Sequence, residues 1–143
     1  MRRTVLCLVL LGAFAAPAGA ATGRPTFYLA VVPGQCVISG HGKTVSVVPC
    51  SDPRHSLEVY AVGHGGWGHG PMPSAYATQH AIARSVCLAA FQRREGRPLA
   101  ATEGWYASWP DPGAEQQRYG DKIVCSYGHY PGQRALGSGR HIR

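Results

Sequence analysis

The stretch CVISGHGKTVSVVPC, Cys36 to Cys50, holds two β-branched runs around a glycine-containing loop. Cys36-Val-Ile-Ser39 and Thr44-Val-Ser-Val-Val48 form the arms, Gly40-His-Gly-Lys43 the turn, and the pattern predicts a β-hairpin. A cysteine stands at the open end of each arm. The two sulfurs are therefore expected to face each other at the short separation a disulfide needs. Closing a loop of about 15 residues in this way stabilises a chain by on the order of 3 kcal/mol.

Working outward, Thr26 to Val32 is apolar and β-prone and ends at Pro33-Gly34. It predicts a first strand within an N-terminal lead over residues 21–32. On the other side, Ser56 to Val62 alternates Leu57, Val59 and Ala61 with Glu58 and Tyr60, which predicts a third strand. Gly63 to Pro73 has five glycines and two prolines in eleven residues, a composition that makes a flexible, exposed loop. Ser74 is then expected to cap a helix running from Ala75 to about Glu95. Ile82, Val86 and Ala90 form one row, and Ala83, Cys87 and Phe91 the adjoining one, so Cys87 belongs to the buried stripe. Gly96 ends the helix and Pro98 prevents its return.

The rest of the chain is less regular. Leu99 to Trp105 carries no periodicity that decides its type, and Trp109-Pro-Asp-Pro-Gly113 is a turn. Lys122 to Tyr127 predicts the last strand. Ile123 and Cys125 share one face of it, which allows Cys125 to meet Cys87. Four cysteines permit three pairings; these placements favour Cys36–Cys50 with Cys87–Cys125. The expected fold is α+β: a small antiparallel sheet with one main helix packed on it, stapled by two disulfides.

The chain has 143 residues, enough for one domain. Its start has the pattern of a secretion signal. Arg2 and Arg3 precede an apolar run from Thr4 to Ala16, and Ala18-Gly19-Ala20 supplies the small residues of a cleavage site. Met1–Ala20 is read as this signal; the alternative is an uncleaved membrane anchor, and the run is short for a bilayer span. Cleavage would remove Arg2, Arg3 and Cys7. The formal charge would fall from +7 to +5, and five cysteines would become four, an even number suited to an oxidising compartment. No CxxC pair is present, which argues against a zinc ribbon or a thioredoxin-type site. Residues 33–128 form the domain. Residues 129–143 are glycine-rich and basic, with Arg134, Arg140 and Arg143, and read as a disordered tail.

The order of motifs resembles a known family. GQC at Gly34–Cys36, VPC at Val48–Cys50, HSLEV at His55–Val59, a helix carrying Cys87 and Phe91, and GDKIVC at Gly120–Cys125 look like the septum formation domain of actinobacteria. The resemblance spans about residues 33 to 128. Gln35 stands where the family has an acidic residue, Arg54 is an extra residue before His55, Lys122 replaces an arginine, and Gln117 occupies a position expected to be aromatic. The resemblance implies a location outside the cytoplasmic membrane and a part in cell division or envelope growth, with no established reaction. It marks His55, Glu58, Gly120 and Asp121 as hallmark positions without catalytic roles.

Several residues invite a chemical reading. Catalysis at the turn after Cys50 would require Cys50 as nucleophile, His55 as its base and Glu58 to orient the base. A disulfide-bound sulfur cannot act as a thiolate. His55 and Glu58, three residues apart, would also point to opposite faces of a regular strand. Their expected role is to tie this turn to neighbouring strands or to a basic residue. His64 and His69, with Trp67 between them, offer only two ligands for copper, zinc or nickel; His41, His55 and His80 would have to supplement them. No metal or cofactor is therefore expected. Glu58, Glu95, Glu103, Asp111, Glu115, Asp121 and Asp52 are scattered, and no two are spaced as a glycosidase pair. Asp121, directly before a strand, is expected to cap a turn. Trp105, Tyr106 and Trp109 are either core or a ligand platform for sugar rings.

The net positive charge suits anionic envelope polymers, and export makes nucleic acid a poor partner. The expected partner is an envelope protein, a glycan or an anionic wall polymer, with membrane contact only through an uncleaved signal. Two functions follow: a non-catalytic secreted or envelope-associated binding or scaffold module, or a small secreted hydrolase of wall material using His55, Glu58 and Asp121.

Overall fold

A computed structural model describes residues 23–40, 42–99 and 104–128. The signal reading (1–20), His41, Glu103 and the basic tail (129–143) lie outside the described residues. Six strands form one sheet in the order β1-β3-β2-β4-β6-β5, every neighbouring pair antiparallel. They are β1 (Arg24–Phe27), β2 (Cys36–Ser39), β3 (Thr44–Val48), β4 (Leu57–His64), β5 (Trp105–Ser108) and β6 (Lys122–Gly128). A long helix α1 (Tyr76–Glu95) follows β4, and a short helix α2 (Ala114–Tyr119) precedes β6. The α+β class expected from the sequence is what the chain adopts.

The hairpin forms as its sequence dictates. β2 and β3 pair with Cys36 opposite Val48, and Cys50 curls back to bond Cys36 across a Cα separation of 5.0 Å. On α1, Ala83, Cys87 and Phe91 are buried and Ile82, Val86 and Ala90 pack beside them. Cys87 thereby reaches Cys125 on β6, with Cα atoms 5.4 Å apart. Gly96 takes the left-handed conformation at φ 67° and returns its N–H to the carbonyl of Gln92, which closes the helix. The close approach of α1 to β4 depends on Gly63: a methyl there would come within 2.3 Å of Val86 Cγ1.

Apolar residues cover both faces of the sheet. Towards α1 lie Tyr60, Trp105, Ala107, Trp109, Ile123 and Cys125. On the opposite face, Leu57, Val59, Tyr106 and Val124 pack with Tyr28, Leu29 and Val31. This second layer differs from the expected first strand over Thr26–Val32. β1 stops at Phe27, and Tyr28–Ala30 coil into a 3-10 turn. The turn is held by Lys122, whose Nζ donates to the carbonyl of Leu29 at 2.5 Å. Burial pushes the Lys122 ammonium pKa down.

Three further differences have local causes. Tyr60, expected on the solvent side with Glu58, is buried against the helix. Both strand faces are covered, and a bulge between Val59 and Ala61 puts Tyr60 and Ala61 on the same side. Tyr60 donates its hydroxyl to the carbonyl of Cys87 at 3.0 Å. Ser74 does not cap α1: Ala75 holds the cap position without a side-chain bond. The carboxamide of Gln79 secures that end instead, donating to the carbonyl of Pro73 at 2.6 Å and accepting from Trp109 Nε1 at 3.0 Å. Finally, Trp105, Tyr106 and Trp109 are core rather than a sugar platform, with exposures of 1%, 5% and 1%. β5 lies between the two apolar layers, so its alternate side chains are buried on both sides.

The two disulfides should contribute unequally. Cys87–Cys125 spans 38 residues against 14 for Cys36–Cys50. Replacing the long-range pair with alanines should cost about 4 kcal/mol and the hairpin pair about 3 kcal/mol. Urea unfolding of the two double variants checks the order.

Candidate functional site

The polar residues singled out from the sequence gather at the two ends of the β4–β6 ladder. At one end Glu58 stands opposite Tyr127, and at the other His64 stands opposite Lys122. At about 3.3 Å per residue, six steps separate the two ends by about 20 Å.

At the first end, the turn after Cys50 is built by Asp52. Its carboxylate accepts from Arg54 Nη2 at 2.7 Å and from the Arg54 amide at 2.9 Å. These hydrogen bonds hold the Asp52 carboxyl down at about 2. The Asp52 carbonyl lies 2.7 Å from His55 Nδ1. His55 thus precedes β4 and is bonded to its own turn. Glu58, inside β4, reaches across the sheet and up to the helix. It accepts from Tyr127 Oη at 2.6 Å and from Arg94 Nη2 at 2.7 Å. Burial opposes ionisation of Glu58, but the bonds from Tyr127 and Arg94 outweigh it and hold the carboxyl below its ordinary value. Tyr127 moves the other way: burial, then the neighbouring Glu58, push its phenol up to about 12.

At the second end, Asp121 organises the glycine-rich loop. One carboxylate oxygen lies 2.8 Å from His64 Nδ1, and the other accepts from the Gly66 amide at 2.8 Å. The Asp121 carbonyl takes the Gly65 amide at 2.9 Å. Burial works against the charge, but His64 and the amides of Gly66 and Gly68 prevail and keep this carboxyl below its usual range. The loop predicted to be flexible is therefore tethered, and Asp121 binds a segment 55 residues away rather than a local turn. Gly120 immediately precedes it at φ 62°.

These placements decide what chemistry the residues can share. All four described cysteines are in disulfides, so Cys50 is no nucleophile. Glu58 and Asp121 stand at opposite ends of the ladder, far beyond the roughly 5 to 10 Å of a glycosidase pair. His55, Glu58 and Asp121 do not meet in one cleft. Among the described residues, no group of three histidine, cysteine, aspartate or glutamate side chains is arranged to hold a metal. The sequence reading missed Arg94 and Tyr127, the partners of Glu58. Arg94 sits in the last turn of α1, where a basic residue already suits the helix dipole, so nothing local points to a distant carboxylate.

Asp121→Asn should remove one of the two acceptor oxygens and cost about 1 to 2 kcal/mol, and Glu58→Gln should cost a similar amount. Both wild-type carboxyls have folded-state pKa values below their unfolded ones. Their stabilisation is therefore complete above the unfolded carboxylate range of about 4 and is lost as pH falls through the lower folded values. Denaturant midpoints between pH 6 and pH 3 should fall more steeply for the wild type than for either variant.

No protein-family model, curated protein or solved structure matches this chain.

Proposed function

We propose that this protein is a non-catalytic binding or scaffold module that works outside the cytoplasmic membrane, in the cell envelope, and takes part in septum formation. The observation that carries the reading is that its described carboxylates and cysteines are committed to structure. Each of the six described carboxylates has a basic side chain as partner. Asp52 pairs with Arg54, Glu58 and Glu95 with Arg94, Asp111 and Glu115 with Lys43, and Asp121 with His64. The four described cysteines are bonded in pairs.

The location rests on the same chemistry and on the leader-like start of the chain. Two disulfides are compatible with an oxidising, extracytoplasmic setting. No helix among the described residues is long and apolar enough to cross a membrane. The link to septum formation rests on the resemblance carried by Gly34–Cys36, Val48–Cys50, His55–Val59 and Gly120–Cys125. The partner class follows from charge. Arg24, Arg84 and Arg93 have no carboxylate partner among the described residues, and they present positive charge to an anionic wall polymer.

A tagged copy should concentrate at the division site of actinobacterial cells, and the purified protein should be retained on envelope fractions. Thiol titration of the unreduced protein should find none of Cys36, Cys50, Cys87 or Cys125 reactive. Replacing both His55 and Glu58 by alanine should lower the folding yield. Wall-degrading activity in the purified protein that this double variant loses while staying folded would overturn the reading.

A further inference from the structure

An open, solvent-facing cleft lies between the glycine-rich loop and α2. Its volume is about 300 Å³, and its walls are His69, Gly70 and Pro71 on the loop side and Gly113, Gln116 and Gln117 on the helix side. The two walls are joined: Gln116 Nε2 donates to the carbonyl of Gly70. The loop wall is in turn anchored through Gly66 to Asp121. The cleft is thus preformed rather than assembled by a ligand.

Its chemistry is narrow. No lysine, arginine, aspartate or glutamate lines it. The backbone amides of the two lining glutamines are already spent, since Gln116 N–H donates to the Asp111 carbonyl and Gln117 N–H to the Gly113 carbonyl. An anion would find no lysine or arginine in the lining and no free amide on either lining glutamine. What remains is the carboxamide of Gln117, the acceptor oxygen of Gln116, the imidazole of His69 and the aliphatic ring of Pro71. Side-chain amides suit hydroxyl and acetamido groups, and the aliphatic Pro71 ring offers apolar contact to the methyl of an acetamido group or to ring C–H groups. A peptide is a poorer fit. The lining holds no strand edge for an added strand and no deep apolar pocket for an anchoring side chain.

We infer that this cleft is a binding site for a neutral, N-acetylated glycan. The inference rests on the envelope reading above and gives that module a specific ligand. Gln117 donates from its carboxamide, Gln116 accepts, and Pro71 packs under the ring.

The test is an NMR titration of the isotope-labelled full chain with chitotriose, a neutral trimer of N-acetylglucosamine. Resonances of Gly70, Gln116 and Gln117 should shift, including the side-chain amide signals of both glutamines. Gln117 is exposed and outside the core, so Gln117→Ala should fold normally and weaken binding by about fivefold, the loss of one net hydrogen bond. His69→Ala gives a second, independent reduction. Ser85→Ala, at an exposed position of α1, should leave chitotriose affinity unchanged. Absence of shifts at millimolar chitotriose, shifts confined to other residues, or full affinity in Gln117→Ala would each overturn the site. Tighter binding of a neutral capped peptide at the same resonances would overturn the glycan assignment. Retention on envelope fractions without any response to chitotriose removes this site and leaves the envelope module standing; loss of both removes both.

Discussion

The pairing of β4 with β6 is the constraint on which the molecule depends. It joins Leu57–His64 to Lys122–Gly128, so every bond in the ladder closes a long loop before it returns any stability. β5 pairs with the far side of β6, antiparallel again. β4 and β5 therefore run in the same direction with β6 inserted between them, and α1 makes the crossover that links them. The Cys87–Cys125 bond fastens that crossover to the inserted strand. It restricts the unfolded chain in the region where closure is most expensive. The polar clusters are consequences of this ladder: its register puts Tyr127 beside Glu58 at one end and brings Asp121 under the glycine loop at the other.

Legibility from sequence followed the distance over which each element is decided. The hairpin, the long helix and the last strand each show their period within a few residues, and the disulfides follow once those elements are placed. β5 and α2 were not readable in this way. Trp105-Tyr-Ala-Ser108 is buried throughout, so no apolar–polar alternation marks it as a strand. α2 has six residues, none of them buried, too short to show an apolar stripe. The same covering of both faces explains the aromatic residues. Trp105, Tyr106 and Trp109 look like a platform only if one face of their segment meets water.

The site residues divide along the same line. His55 and Glu58 could be singled out by type and by the resemblance, and the expectation that Glu58 ties to a basic residue matches its contact with Arg94. Which arginine it would be was not legible, because the partner lies 36 residues away on another element. Asp121 was readable as a capping residue, but its reach to His64 spans 57 positions. A signal was nevertheless present. A loop with five glycines leaves many backbone amides without regular partners, and such groups need an acceptor from somewhere. A carboxylate in the last turn before a strand is a suitable one, and that is where Asp121 stands.

On the envelope and glycan readings proposed above, long-range and short-range recognition fall on different surfaces. Every described carboxylate is paired with a lysine, an arginine or a histidine within the fold. The residual positive field therefore comes from arginines such as Arg84 and Arg93 on the exposed face of α1. A field of this kind raises the encounter rate with an anionic wall but discriminates poorly among its components, and salt screens it. The cleft beside α2 has the opposite character, uncharged and preformed. Its affinity would depend little on salt and much on ligand shape. A module with both would be drawn to the envelope by charge and held in register by a neutral sugar. Discrimination in such a module would reside in the glutamine-lined cleft, because direct, geometrically demanding hydrogen bonds separate ligands where a diffuse field does not.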